Sequence, residues 1–394
     1  MSTTRAGDAT SDRVPQGAGS AFVVDVHKLA MADPADVSGL ERLLEEGRIA
    51  PADIVATIGK TEGNGGANDF TRALATRAVA DLLAYHLRTS RDEILARVAL
   101  VWSGGCEGVL SPHMTVFARR AVGAAVAGPE IQGKTGRLAI SVQRTRRIAA
   151  EEVGRAKEIA EVAAAVRRAC DDLGVSGPDV HYVQVKGPLL TPSAIADARR
   201  RGVSLVTEDP NKSKAFARGA TALGVAVGLG ELCPTDVPDD MVTMDLGRFS
   251  AVASTSAGGE LDSCEIVVLA NAPSAGGNLR IGHAAMSSPV DLEGVREAFR
   301  SAGLDLKGDP DEDDRRRIVA VLAKADAPVG GLLNGWRTTM LSDADINYER
   351  HARAATGAVI ASQTGDPRIF ISGGTEHQLP PGHAPIAAIV DLGP

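Results

Sequence analysis

Aromatic side chains make up only 3% of this chain, and Trp102 and Trp336 are its two tryptophans, so it has little with which to stack on unpaired bases. Positive charge in excess is missing as well. A formal net charge of -8 argues against a general grip on phosphate backbones, although a cationic pocket can sit inside an acidic shell. We therefore expect no nucleic-acid partner. No apolar run approaches the ~18 to 20 residues of a membrane span, so no membrane association is expected. The cysteines Cys106, Cys170, Cys233 and Cys264 show neither CxxC spacing nor the density of a disulfide framework. They read as reduced thiols of a cytoplasmic protein, and zinc-type clusters are absent. Residues 1–20 are small and polar without an apolar core, which predicts a disordered tail rather than a signal peptide.

What the chain does have is a core-forming composition, 44% hydrophobic over 394 residues, enough for two or three domains. It also has a pattern that occurs three times. An apolar strand-type run, Ile54 to Gly59, delivers Lys60, and a second such run, Val98 to Trp102, delivers Ser103-Gly104-Gly105. The pairing recurs as Lys186 with Ser256-Ala257-Gly258, and as Lys324 with Ser372-Gly373-Gly374. The lysine-to-serine separations are 43, 70 and 48 residues, and Arg72, Arg218 and Arg353 fall one within each interval. Units of more than ~100 residues exceed solenoid periods. The pattern predicts an α/β fold of three similar repeat units around a shared axis, spanning 21–121, 131–273 and 279–394. Such an axis would bring three lysines, three serines and three arginines together.

Helical periodicity predicts a short helix over 36–47, a long one over 70–87 entered through Asn68-Asp69, and others over 150–173, 192–201 and 292–302. Arg72 falls in the first turn of its helix. A cation is unfavourable there, so its head is expected to meet an anion. The charged stretch 307–317 reads as a solvated loop. Asp343 and Asp345 are expected to cap the helix that carries Arg353.

A serine hydroxyl is a weak nucleophile until a base takes its proton, and lysine can do so only when neutral. Crowded cations and burial both favour neutral lysine. The permanently charged arginines would hold the oxygens of a small anionic ligand. Three competing signals are weaker. Gly59-Lys60-Thr61 invites a P-loop reading, but position 54, where the first glycine belongs, is isoleucine. Cys106 has no partner histidine at a recognisable spacing and reads as an inert thiol. His113, His351 and His377 are scattered and read as structural.

At these residues the chain resembles the ring-opening amidohydrolases, the family of cyanuric acid hydrolase and barbiturase. The resemblance rests on Gly59-Lys-Thr-Glu-Gly-Asn-Gly65, Trp102-Ser-Gly-Gly-Cys-Glu-Gly-Val-Leu-Ser-Pro-His113 and Val185-Lys-Gly-Pro-Leu-Leu-Thr-Pro192. It extends through Ser254-Thr-Ser-Ala-Gly258, Met340-Leu-Ser-Asp-Ala-Asp-Ile346, Arg350-His-Ala-Arg353 and Ser372-Gly-Gly-Thr-Glu-His-Gln378. It implies a pseudo-three-fold α/β protein, a homotetramer, with no organic cofactor and one small cyclic anionic substrate at its centre. By the same resemblance Lys186 and Ser256 are the catalytic pair. Arg72, Ser103, Gly104, Arg218, Ser256, Ala257, Arg353, Ser372 and Gly373 map onto the family's substrate-binding positions. A structural Mg2+ or Ca2+ would be held by Asp326 and by backbone oxygens of Thr375, Gln378, Leu379, Pro380 and His383. Asp326, Leu379 and His383 depart from the family's usual residues. Beside that mapping, we expect Lys60 and Lys324 to orient substrate within the binding ring, and Glu349, with Asn347 and Tyr348 just before Arg353, to be the candidate for substrate discrimination.

The presence of Lys, Arg and Ser in all three units favours cyanuric acid, whose three amide edges are equivalent. Its ring opening would give carboxybiuret and, after decarboxylation, biuret. The alternatives are a barbiturase forming ureidomalonate, whose family members share Val101-Trp102 and the terminal Ala388-Ile-Val-Asp-Leu-Gly393, and a non-catalytic binder of cyclic imides.

Overall fold

The structure, a computed structural model, describes residues 21–123 and 136–393. The expected tail over 1–20, the expected start of the second unit over 131–135 and the last residue lie outside the described residues.

The first unit contains β1 (Phe22–Ala30), α1 (Ser38–Glu45), β2 (Ile54–Thr61), α2 (Thr71–Leu87), α3 (Arg91–Arg97), β3 (Ala99–Gly104) and β4 (His113–Ala121). The second contains β5 (Arg137–Arg147), α4 (Ala156–Leu173), β6 (Val180–Pro188), α5 (Pro192–Arg201), α6 (Pro210–Leu229), β7 (Ala253–Gly258) and β8 (Ser263–Ala272). A short β9 (Ala275–Gly276) returns to pair with β1. The third unit follows with β10 (Leu279–Met286), α7 (Leu292–Ala302), α8 (Glu312–Arg317), β11 (Ile318–Ala325), the two-residue strands β12 (Leu332–Leu333) and β13 (Trp336–Arg337), α9 (Tyr348–Thr364), β14 (Phe370–Gly373) and β15 (Ala384–Asp391).

The sheet orders are β3-β2-β4-β1, β7-β6-β8-β5 and β14-β11-β15-β10, the first extended by β9. In every case the serine strand lies at one edge, parallel to the lysine strand, and the other two strands continue antiparallel. Three copies of one topology make this a pseudo-three-fold α/β fold.

Side chains alternate between the faces of a strand. Residues two and four before each lysine therefore share its face. In the first and third units these are Ala56 and Ile58, and Ala320 and Leu322, all in one hydrophobic cluster that draws on all three sheets. The second unit puts Tyr182 and Gln184 in those positions, and Tyr182 donates to Gln184 Oε1 (2.6 Å) and Ser254 Oγ (3.0 Å). These bonds satisfy the polar groups that burial would otherwise strand. On the outer faces, Leu100 and Trp102 pack under Val79 and Leu83 of α2, and Val321 and Ala323 pack with Val295 and Phe299 of α7.

Several expected elements move. The helix expected over 150–173 breaks: Ala150–Glu152 forms a 3-10 turn, Gly154 takes φ +75°, and α4 starts at Ala156. Glu158 fixes this break by accepting the Gly154 N–H at 2.7 Å. The stretch expected to be a loop over 307–317 contains α8, capped by Asp311, whose Oδ1 accepts from Asp314 N (2.9 Å). The cap of α9 is Asn347, which accepts the Glu349 N–H, while Asp343 turns the preceding loop through the N–H groups of Asp345 and Ile346. Each expected Ser-Gly turn has its serine inside a strand, with the chain turning only afterwards.

The helix α6 was not legible from periodicity because it is buried on all sides for most of its length. Asp209 caps it through the N–H groups of Asn211 and Lys212, and Pro210 occupies its first turn. It crosses α4 closely at Gly224, where a Cβ would lie 2.7 Å from Val162 Cβ and 2.9 Å from the Ile159 carbonyl oxygen. Gly224→Ala should therefore destabilise the protein by about 1–3 kcal/mol through overpacking. Chemical denaturation checks this, and an unchanged midpoint would show that the two helices have room to spare.

Candidate active site

The sheet register sets each serine directly across from a lysine: Lys60 opposite Ser103, Lys186 opposite Ser256, Lys324 opposite Ser372. All three lysines are buried. Each ammonium reaches into another unit: Lys60 Nζ donates to Ile371 O (2.8 Å), Lys186 Nζ to Trp102 O (3.3 Å) and Lys324 Nζ to Thr255 O (2.7 Å). Every acceptor is the residue immediately before a serine. The bonds thus run from first unit to third, third to second and second to first, closing a ring.

The arginines close a second ring in the opposite sense. Arg72 Nε lies 3.2 Å from Glu260 Oε1. Arg218 donates to both oxygens of Glu376 at 2.7 Å, and Arg353 donates to both oxygens of Glu107 at 2.9 and 2.5 Å. Sequence reasoning missed these three glutamates. Their signal was a constant offset, since Glu107, Glu260 and Glu376 each follow a serine by four residues.

Arg72, Arg218, Arg353, Ser103, Ser256 and Ser372 line one central cavity, with Gly104, Ala257, Gly373, Lys186 and Glu349 also on its wall. Lys214, one helical turn before Arg218, joins them and was also missed. Lys60 and Lys324 sit fully buried outside that lining. Glu349 lies 3.2 Å from Arg218 and 3.9 Å from Arg353, bridging two of the arginines. At Gly373 a Cβ would come within 2.8 Å of Arg353 Nη1, so a small residue there keeps the guanidinium in place.

The three pairs differ in detail. Lys60 Nζ lies 3.4 Å from Ser103 Oγ, which in turn donates to Ile371 O at 3.3 Å. Lys324 donates its second bond to Gly373 O (2.9 Å), and Ser372 Oγ is buried with no hydrogen-bond partner among the described residues. Lys186 faces Glu260 Oε1 at 3.5 Å, and no hydrogen bond joins it to Ser256, whose side chain is partly exposed.

Burial lowers the proton affinity of all three lysines. Lys60 falls to about 7, with Arg353 adding to the effect and Glu107 opposing it. Lys186 falls to about 8, Glu260 opposing and Arg72 adding. Lys324 falls well below the ordinary lysine value through burial and the nearby Arg218. A neutral amine near neutral pH is within reach of this site. Burial alone would raise the Glu349 carboxyl, but Arg218, Lys214, Arg353 and Lys324 together hold it at about 2.

Among the described residues no cluster of three or more His, Cys, Asp or Glu side chains could hold a metal. The expected metal positions offer a different donor set, one carboxylate beside backbone. Asp326 accepts from Thr375 Oγ1 (2.8 Å) and Ala327 N (2.9 Å), and no cationic side chain pairs with it among the described residues. Burial raises its pKa. Its neighbours are donors, the Thr375 hydroxyl and the N–H groups of Ala327 and Gly382, and a carboxylate with no cationic side chain beside it is the kind of oxygen ligand that a hard cation such as Mg2+ or Ca2+ takes.

The histidines have structural surroundings. His113 is buried, bonded to Ser111 O (2.9 Å) and pushed to about 3 by that burial. His377 joins the second and third units, accepting from Thr243 N (2.9 Å) and bonding Arg248 O (2.7 Å). His351 lies 3.4 Å from Asp343. Cys106 donates to Thr61 O (3.6 Å), and burial pushes its thiol up to about 11.

Residues 25–391 match the family model described as amidohydrolase ring-opening protein. A cyclic amide hydrolase of Azorhizobium caulinodans is 60% identical over 368 residues, covering 93% of this chain and 99% of that protein. A cyanuric acid amidohydrolase of Pseudomonas sp. (strain ADP) is 47% identical over 93% of this chain and 99% of its own length. A barbiturase of Nocardioides sp. is 43% identical over 94% and 99%. A solved structure described as cyanuric acid hydrolase, an evolutionary innovation by structural concatenation, superposes with a TM-score of 0.86 at 46% identity, covering 94% of this chain and all of its own.

A thiol with so high a pKa is almost wholly un-ionised at neutral pH and reacts slowly. Iodoacetamide at pH 7.5 should alkylate the exposed Cys233 first and leave Cys106 unmodified, as read by peptide mass. Cys106 reacting as fast as Cys233 would contradict the inert-thiol reading.

Proposed function

The chain belongs to the ring-opening amidohydrolase family, and we propose that it hydrolyses cyanuric acid, with Ser256 as nucleophile and Lys186 as its base. One observation carries this reading: three serines, each in register opposite a buried lysine, line a single cavity with an arginine from each unit on its wall, and of the three lysines Lys186 reaches that wall. A ring with three equivalent imide edges can address all three arms at once.

Neutral Lys186 takes the Ser256 proton, and Oγ forms a bond to a ring carbonyl carbon. The oxyanion that develops is held by backbone N–H groups of the Ser-Gly segments and by the surrounding cations. The ring C–N bond then breaks, its electron pair stays on nitrogen, and Lys186 returns the proton to that nitrogen. The ester left on Ser256 contains every atom of the substrate. Water, losing a proton to Lys186, attacks the same carbonyl, and Oγ leaves and is reprotonated. Carboxybiuret departs and loses carbon dioxide to give biuret. Burial and Arg72 favour the neutral lysine on which the first step depends. Arg218 and Arg353, tied together by Glu349, would fix the ring and make Glu349 the natural point of substrate discrimination.

No organic cofactor enters this scheme. Asp326 with backbone oxygens of Thr375, Gln378, Leu379, Pro380 and His383 would hold a structural Mg2+ or Ca2+, whose chemistry is to neutralise Asp326 and brace the segment after Ser372. The homotetramer is proposed on the same family resemblance. Among the described residues no helix is long and apolar enough to cross a membrane.

Barbituric acid is the second reading, favoured by the barbiturase relative. Purified protein should open cyanuric acid and leave barbituric acid largely intact. Ser256→Ala should lose roughly 10³-fold or more in kcat, on the scale of removing a catalytic nucleophile. Ser103→Ala and Ser372→Ala should retain measurable turnover. Near-full turnover by Ser256→Ala would sink the assigned pair, and preference for barbituric acid would exchange the substrates. Binding of cyanurate without ring opening would leave only a binder.

A further inference from the structure

Triplication gives each residue three equivalent places, so a departure from equivalence is informative. Glu107 and Glu376 each place both carboxylate oxygens on one guanidinium, of Arg353 and Arg218 respectively, and the further cation beside Glu107 is another arginine, Arg350, at 3.5 Å. Glu260 does not. Its Oε1 approaches Arg72 Nε at 3.2 Å, and the same oxygen lies 3.5 Å from Lys186 Nζ. Among the described residues neither Lys60 nor Lys324 has a carboxylate at ion-pair distance.

A second departure lies beside the first. Lys186 and Glu260 also line another cavity, of about 600 Å3, between α2, α3 and the β7–β8 turn, where Arg77, Arg91, Arg144 and Glu265 face them. Among the described residues Glu265 Oε2 and Arg144 Nε are buried there with no hydrogen-bond partner, so the place suits bound water.

We propose that Glu260 is a positioning residue for the reacting pair: it holds Lys186 and governs the proton on its amine, which the hydrated second cavity exchanges with solvent. This rests on the reading of Lys186 and Ser256 as that pair. Glu107 and Glu376, closed onto their arginines, only hold the binding ring.

The groups facing Lys186 are Glu260 from the β7–β8 turn, Glu265 across the sheet in β8, Arg72 from α2 and Asp69 just before it. Burial and Arg72 favour the neutral amine, whereas Glu260 favours the ammonium. The base must be neutral to accept the serine proton, so kcat/KM should rise with pH through the lysine's pKa. Removing the Glu260 charge lets the amine lose its proton at lower pH. The rising limb should therefore move down.

The test compares pH profiles of kcat/KM for cyanuric acid in the full-length protein and its Glu260→Gln, Glu260→Asp, Glu107→Gln and Glu376→Gln variants, so that ionisation of the substrate is common to all. The limb should shift down by about one pH unit in Glu260→Gln. It should shift by less in Glu260→Asp, which keeps the charge on a shorter arm. Glu107→Gln and Glu376→Gln should raise KM and leave the limb where it was. Should Glu260→Gln fail to fold, Glu260→Asp carries the comparison. A limb unmoved in both Glu260 variants, with Ser256→Ala inactive, overturns the role of Glu260 alone. A limb that moves in Glu107→Gln and not in the Glu260 variants puts the base at Lys60 and overturns the assigned pair as well.

Discussion

Three lysines buried at one centre set the terms for everything around them. An unpaired buried ammonium is costly, and relief comes from hydrogen bonds, from opposite charge or from giving up the proton. This protein uses all three. Each amine is bonded to the carbonyl before a serine of another unit, so the centre exists only when the three sheets are assembled. Among the described residues opposite charge is supplied short of demand: Asp69, Glu107, Glu260, Glu265, Glu349 and Glu376 face Arg72, Arg144, Arg218, Arg353, Lys60, Lys186, Lys214 and Lys324. Arginine keeps its charge. The shortfall therefore lands on the lysines, and a neutral amine next to a serine is what acyl transfer needs.

Much of this was legible in the sequence because strand geometry is local. A strand-type run ending in lysine, followed by another ending in serine, places two side chains at the same end of neighbouring strands, and three copies fixed the repeat. The register of Lys60 with Ser103, Lys186 with Ser256 and Lys324 with Ser372 is the structural form of that pattern. Arg72, Arg218 and Arg353 were found by the same repetition, although α6, which carries Arg218, had no polar face to betray a helix.

The partners across units were not legible. Nothing local tells Arg72 from Arg353 in its choice of glutamate, since Glu260 and Glu107 are brought to them only by the assembled ring. The glutamates themselves hid in glycine-rich turns, where a carboxylate passes as turn chemistry. The cap of α9 was misplaced for a related reason: Asp343, Asp345 and Asn347 are all good caps, and only the course of the chain selects Asn347.

On the proposed reading, pseudo-symmetry serves binding, and its breakdown singles out one pair for chemistry. Tyr182, Gln184, Ala257 and Glu260 give the second unit a polar, less regular setting than its neighbours. The most direct measurement is to quench the protein during turnover of cyanuric acid and map the covalent adduct by peptide mass. Ring opening releases no atoms, so the account predicts an increment equal to one intact substrate on the peptide containing Ser256 and on no other. The same increment on the peptide containing Ser103 or Ser372 would contradict it.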